Sequence, residues 1–390
     1  MPDRARGRRR RSDAPLLLCG EITDMDFRFT EEQDALRELA REILENEISP
    51  ERLKESEASG EFFDREAWAR LAESNLLGLA VPEAQGGMGM SFLELCMLLV
   101  EAGRTVAPLP IVPALVYGAL PIARFGSDAQ CDRWLAPVAK GEAILTAALG
   151  DGPLISTRRE GSELVLDGVC RGVPATEYAE RVLVPAELDG DQALVLVDPK
   201  QAGVRLESYR TSRHEPLATL TLEDVRAETD AAIIAAGIVD WLTERALVAA
   251  AATQLGVSER ALEITVEYLK ERQQFGAPLG VLPPIQHRCA DCYVALDSLR
   301  WLTWQTAWKL ADERPATRDV WATKFWAASA GSQIGTATQH LHGGMGVDMD
   351  YPIHRYFLWA KQLELHLGGA TPTLVKLGAD MARTGPQELA

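Results

Sequence analysis

The amino-acid sequence predicts an α+β chain in three parts: an N-terminal helical domain, a small central antiparallel β-barrel or sandwich, and a C-terminal up-and-down four-helix bundle. Three observations predict it. Apolar residues recur at helical spacing through 30–139 and again from 231 onward, and between them, over 145–228, the pattern shortens to β-type runs broken by Gly, Asp and Pro. The central block is too small for a dinucleotide-binding parallel sheet and has no G-x-G-x-x-G turn, which leaves the small antiparallel options. The expected units are 25–143, 144–230 and 231–390.

The opening helix, 30–48, spaces Leu36, Leu39, Ala40, Ile43 and Ile48 along one stripe, and Thr30 with Gln33 supplies a capping box. Helical stretches follow at 64–74, 91–100, 111–125 and 128–139, with a turn at Gly86-Gly87-Met88-Gly89. In the central block Leu164-Val165-Leu166, 181–185, 193–197 and 218–222 read as strands, punctuated by Gly168, Gly190 and Gly203. The final third gives long helices at 247–271, 285–311, 318–341, 352–365 and 372–382, joined by short connections as in a bundle. Its tryptophans, Trp301, Trp304, Trp308, Trp321, Trp326 and Trp359, suit cores and subunit interfaces alike.

With 40 basic against 57 acidic residues the net charge is −17, which repels nucleic acid and anionic lipid, so any phosphate site must be local. No apolar run approaches the roughly 18 to 20 residues that cross a bilayer, so no membrane insertion is expected. Six scattered cysteines point to reduced thiols and a cytoplasmic protein. Cys289-Ala290-Asp291-Cys292 lacks the second ligand pair of a zinc site; two thiols on a helix face are expected, and no metal. The segment 1–24, with Arg8-Arg9-Arg10-Arg11, has too short an apolar stretch for a signal peptide; it reads as a disordered basic tail, with the folded chain starting near Met25.

Four motifs stand in order: Leu79 to Gly89; Phe125-Gly126-Ser127 with Trp134-Leu135 and Gly141-Glu142; Arg272-Gln273-Gln274-Phe275-Gly276; and Gln339-His340-Leu341-His342-Gly343-Gly344-Met345-Gly346 with Asp350-Tyr351-Pro352. In sequence and spacing they resemble the acyl-CoA dehydrogenase family over nearly everything after Met25. That resemblance implies FAD as cofactor, an acyl-CoA thioester as substrate, and a dimer of dimers. It also implies flavin contacts from Arg272, Phe275, His340, Gly343 and Gly344. The chemistry suits these types: Arg gives charge-assisted hydrogen bonds to a pyrophosphate, Phe packs on an adenine, and paired glycines let backbone approach closely.

The same resemblance is broken where catalysis would reside. The family's base, a Glu before a Gly-Thr pair, falls at Leu367, and the alternative helix position, counted back from Gly256 and Arg272, falls at Ala246. Neither side chain takes a proton. Glu244, about 200° around the helix from Ala246, and His366, which can titrate near neutrality, are the displaced candidates. Cofactor positions are altered too: Pro283 stands for a Gln, Gly369 for a Thr, and Val173-Pro174-Ala175 for the strand that covers the flavin ring. Three functions remain open. The first is a base-lacking subunit that shares FAD with a homologous catalytic chain, as in the heteromeric (α2β2) sterol side-chain enzymes of actinobacteria that the C-terminal region resembles. The second is a self-sufficient acyl-CoA or acyl-carrier-protein dehydrogenase, a homotetramer with a displaced base. The third is a non-catalytic binding or scaffold protein of the same fold.

Overall fold

The computed structural model describes residues 28–150 and 152–385; the basic segment 1–24, Met25, Cys19 and Asp151 lie outside the described residues. The N-terminal part runs α1 (Glu31–Glu47), α2 (Pro50–Ser59), α3 (Arg65–Glu73), α4 (Phe92–Arg104), a π-helical turn at Val112–Ala119, α5 (Leu120–Phe125) and α6 (Asp128–Ala139). The Thr30 box forms as read: Gln33 N donates to Thr30 Oγ1 at 3.2 Å and Thr30 N to Gln33 Oε1 at 3.0 Å. Leu36, Ala40 and Leu44 are buried along α1, while Leu39, expected inward, is 42% exposed.

Eight strands follow: β1 (Leu145–Ala147), β2 (Ile155–Glu160), β3 (Glu163–Pro174), β4 (Arg181–Leu188), β5 (Asp191–Val197), β6 (Val204–Arg210), β7 (Pro216–Glu228) and β8 (Ala232–Ile234). They make one sheet in the order β6-β7-β3-β2-β4-β5-β8, with β1 added on β4. Most pairs are antiparallel; β1 and β2 each pair with β4 in parallel. The barrel alternative is corrected here, because β6 and β8 lie at opposite ends of the strand order and do not pair to close it.

The C-terminal part consists of α7 (Ile238–Glu271), the short hairpin β9 (Gln273–Gln274) and β10 (Ala277–Pro278), then α8 (Pro283–Ala311), α9 (Thr317–Leu341), α10 (Ile353–Leu365) and α11 (Ala370–Thr384). Pro283 opens α8, a place where a missing N–H is harmless, which accounts for proline at that position. The hub is the crossing of α4 and α7. A Cβ on Gly256 would stand 1.9 Å from the Val100 carbonyl oxygen, and one on Gly103 2.2 Å from that of Thr253, so the helices touch backbone to backbone. Around this crossing α4 buries Phe92, Leu95, Met97, Leu98 and Leu99, each worth about 1.5–3 kcal/mol of burial. Buried charge is paired: Glu101 accepts from Arg41 Nε and Nη2, both at 2.9 Å, and Arg104 reaches Glu263 at 2.8 Å, linking α1, α4 and α7. Among the described residues no helix is long and apolar enough to cross a membrane.

Candidate active site

Two surfaces emerge from the sequence-derived residues. The first is the exposed end of the bundle. Arg272 follows α7 and starts the β9–β10 hairpin; its backbone N–H donates to Tyr268 O at 2.8 Å, fixing the hairpin to the last turn of the helix. Phe275, at φ +54 on the hairpin tip, is 91% exposed. Arg272 is exposed as well, and among the described residues its side chain has no carboxylate or hydrogen-bond partner. Gly343 and Gly344 are exposed at the end of α9, with nothing within 4 Å of where a Cβ would stand, and His340 is exposed beside them.

Sequence reasoning missed what joins these motifs. Tyr268, one turn before Arg272, stacks on His342 with ring centroids 4.4 Å apart, and Tyr351 closes on His342 at 5.2 Å. His342 Nδ1 is 2.7 Å from Thr338 O, while Nε2 is buried without a partner. Burial lowers its pKa, so it stays neutral. The stack holds the Arg272 hairpin against the Gly343-Gly344 turn. The histidine beside a glycine pair was the available signal.

The second surface surrounds the two expected base positions, Leu367 and Ala246, whose side chains both pack on the main core. Ala246 is fully buried in α7 and packs in the main core. Leu367, at φ +54, packs against the same core. Its loop is held on both sides: His366 N donates to Gln362 O at 3.0 Å, and Thr373 Oγ1 to Gly369 O at 2.8 Å. Lys324, fully buried on α9, donates through Nζ to Leu363 O at 2.8 Å and so caps α10 with a cation. Burial pushes its pKa down to about 8.

Neither displaced base candidate is free. Glu244 accepts a 2.6 Å hydrogen bond from Thr317 Oγ1 at the start of α9, on the side of α7 turned from Ala246. His366 Nε2 lies 2.6 Å from the Tyr117 hydroxyl. Burial, then the charges of Lys324 and Arg213, push its pKa down to about 3, far below what a proton acceptor near neutrality needs. Burial raises the Tyr117 pKa, so the proton of this pair stays on oxygen.

The wall expected to cover a flavin ring is also shut. Val173 is fully buried at the end of β3, and Ala175, 3% exposed, donates its N–H to Pro216 O at 3.2 Å. A cleft of about 370 Å³ opens nearby, between the β1–β2 connection and the first turns of α7, lined by Ala148, Leu149, Gly150, Cys170, Val239 and Thr243. None of its described lining residues carries a carboxylate. Cys170 is no nucleophile, since burial pushes its thiol up to about 11.

Two family models match the chain: "Acyl-CoA dehydrogenase, N-terminal domain" over residues 30–142 and "Acyl-CoA dehydrogenase, C-terminal domain" over 242–376. The chain belongs to the acyl-CoA dehydrogenase family. It is 36% identical over 372 residues to acyl-CoA dehydrogenase FadE27 of Mycobacterium tuberculosis, covering 92% of this chain and all of that protein. FadE28 of the same organism is 33% identical, again over 92% of this chain and all of that one. Among solved structures, a variant of the Tcur3481-Tcur3483 steroid ACAD matches at 40% identity with a TM-score of 0.85, over 90% of this chain and 98% of that chain. The ChsE4-ChsE5 complex from Mycobacterium tuberculosis matches at 35% identity with a TM-score of 0.89, over 93% and 100%.

Tested against the FAD of this family, the chain fits in one half. The bundle end offers an unpartnered cation, an exposed aromatic ring and an open glycine turn, the donor set for a pyrophosphate and adenine. The ring end does not fit: its wall is buried, and the base positions are apolar.

Proposed function

We propose that this chain is the base-lacking subunit of a heteromeric, FAD-dependent acyl-CoA dehydrogenase. In this reading it pairs with a homologous, Glu-bearing chain as an α2β2 tetramer in the cytoplasm, with 25–143, 144–230 and 231–390 as its structural units. One observation carries the reading: both base positions, Leu367 and Ala246, are apolar and packed, while Arg272, Phe275, Gly343 and Gly344 stand open at the protomer surface. The two solved relatives above are named as two-chain assemblies, one of them a steroid enzyme, which supports a homologous partner and a bulky, steroid-type acyl thioester.

In the assembled enzyme FAD, when bound, accepts the electrons released as the acyl α,β bond is oxidised. The proton goes to the partner's carboxylate. This chain binds and orients: Arg272 meets negative charge on the dinucleotide, Phe275 covers an apolar face, and the Tyr268–His342 stack holds both against the glycine turn. The self-sufficient alternative loses ground because Glu244 is held by Thr317 and His366 by Tyr117.

Co-expression with a Glu-bearing homologue, followed by affinity purification through a tag on this chain, tests the proposal. The expected result is a yellow complex that oxidises steroid acyl-CoA, against a colourless, inert chain alone. A colourless, inactive mixture from which the homologue is absent would refute it.

A further inference from the structure

Arg355 and Arg245 are each 4% exposed, yet their charges are met differently. Arg355 holds Glu57 through Nε and Nη2, at 2.6 and 2.7 Å. Arg245, on α7, has no carboxylate against it among the described residues. Its Nη1 and Nη2 donate to Trp241 O and Leu310 O, both at 3.1 Å, and its guanidinium lies over the Trp241 ring, 3.7 Å from the centroid. Leu310 is in the last turn of α8, whose free carbonyls carry about half an elementary negative charge, so the cation is only partly neutralised. Burial pushes its pKa down, to about 10, whereas Arg104, desolvated too, is raised by Glu263, Glu259 and Glu101. A guanidinium has five N–H groups, and those of Arg245 that do not reach the two carbonyls have no partner among the described residues.

Arg245 lines a cavity of about 320 Å³, a volume at the small end of ligand sites. Its apolar wall includes Phe92 from α4, Leu120 and Ala123 from α5, and Trp241. On the exposed side Arg124 and Glu313 pair at 2.8 Å, so the one carboxylate among the described lining residues is already held. The cavity shares no described lining residue with the cleft at Ala148 and Thr243. Arg245 also leaves α7 about 100° around the axis from Ala246, so the site is separate from the expected base positions.

We propose that this cavity binds a small monocarboxylate with an apolar body, its carboxylate on the open N–H groups of Arg245 and its body against Phe92, Leu120 and Trp241. The planar guanidinium matches a carboxylate, and the ion pair completes the neutralisation of a buried cation. A phosphate group, with nearly two charges, would find one unpaired cation and meet Glu313 at the rim. The proposal stands apart from the subunit assignment, and neither requires the other.

Calorimetry of the full chain with 3-phenylpropanoate as probe, and with 3-phenylpropanamide as its uncharged counterpart, tests it. The acid binds one to one with a dissociation constant of about 1 mM or tighter, and the amide at least about tenfold more weakly. Arg245→Met, which keeps the apolar stem, weakens binding of the acid at least about tenfold. Ala123→Phe, which fills the cavity and leaves Arg245 in place, does the same and keeps the test open where Arg245→Met does not fold. No saturable uptake of the acid by the wild type overturns the proposal, and so does equal binding of acid and amide; neither outcome needs a variant. Undiminished binding in either natively folded variant overturns it too. Displacement of the acid by an equal concentration of inorganic phosphate would reassign the site to phosphate and overturn it as well.

Discussion

His366 shows how a single side chain departs from what its neighbours in sequence suggest. A histidine beside the usual base position suggests proton transfer, but its partner Tyr117 is 249 residues away in sequence, and no spacing rule connects them. The apolar residues at the two positions that the resemblance assigns to the base, by contrast, were legible, because Leu367 and Ala246 stand at set distances from Gly368, Gly256 and Arg272. The half-buried His366, whose Nε2 meets the buried Tyr117 hydroxyl, has a consequence for acid stability. Between its ordinary value of 6.5 and about 3 the unfolded chain carries a proton that the folded chain refuses, so acidification favours unfolding. Tyr117 is its hydrogen-bond partner and Lys324 and Arg213 add positive charge nearby, so none of them favours the charged form. Urea titrations from pH 7 to 4 should show stability of the wild type falling more steeply than that of His366→Gln, by at most about 1.4 kcal/mol per pH unit. Equal slopes would mean the imidazole is not held neutral. At the exposed bundle end, Arg272→Ala with Phe275→Ala should leave the melting temperature unchanged, since both residues are exposed, and lower FAD retained by the heteromer about tenfold, measured from its flavin absorbance.

Elements were legible where they bury an apolar face. α8, α9 and α10 follow the predicted stretches closely, because each buries an apolar stripe, whereas α4 runs to Arg104, beyond its predicted end at 100, and α7 starts at Ile238, well before its predicted start at 247. α2 was missed: it buries no residue and is held by the Ser49 cap, Pro50 at its first position, and ion pairs such as Arg52 with Asp64 at 2.6 Å. β2 and β6 were missed for the same reason, since most of their side chains face solvent and alternate little. The glycines of α4 and α7 were visible in the sequence but not their pairing, which depends on two helices crossing. Gly256→Ala tests that crossing. Alanine adds about 1 kcal/mol of helix propensity, yet its methyl meets the Val100 carbonyl at 1.9 Å. A net loss of at least about 1 kcal/mol by urea denaturation is expected; a gain would show a looser contact than the distances give.

Across the whole molecule, the three-part order was legible from the change of period, and the open sheet was not, because closure depends on which edges pair rather than on strand count. The same holds for the site. The family resemblance located the motifs, but only the fold separates them into an open bundle end, where Arg272, Phe275, Gly343 and Gly344 project, and an interior, where Ala246, Tyr117 and Val173 are buried and Leu367 packs half-buried against the core. Exposed apolar residues such as Val294, Val347 and Val375 on the bundle and its adjoining turn suit burial against another chain. The account stands on the absence of a carboxylate at the two positions the family resemblance assigns to the base, Leu367 and Ala246. Rapid mixing of the isolated chain, loaded with excess FAD, with a saturated steroid acyl-CoA under anaerobic conditions tests this most directly. The visible flavin band should keep its full absorbance over many minutes; bleaching at an enzymatic rate would contradict the account.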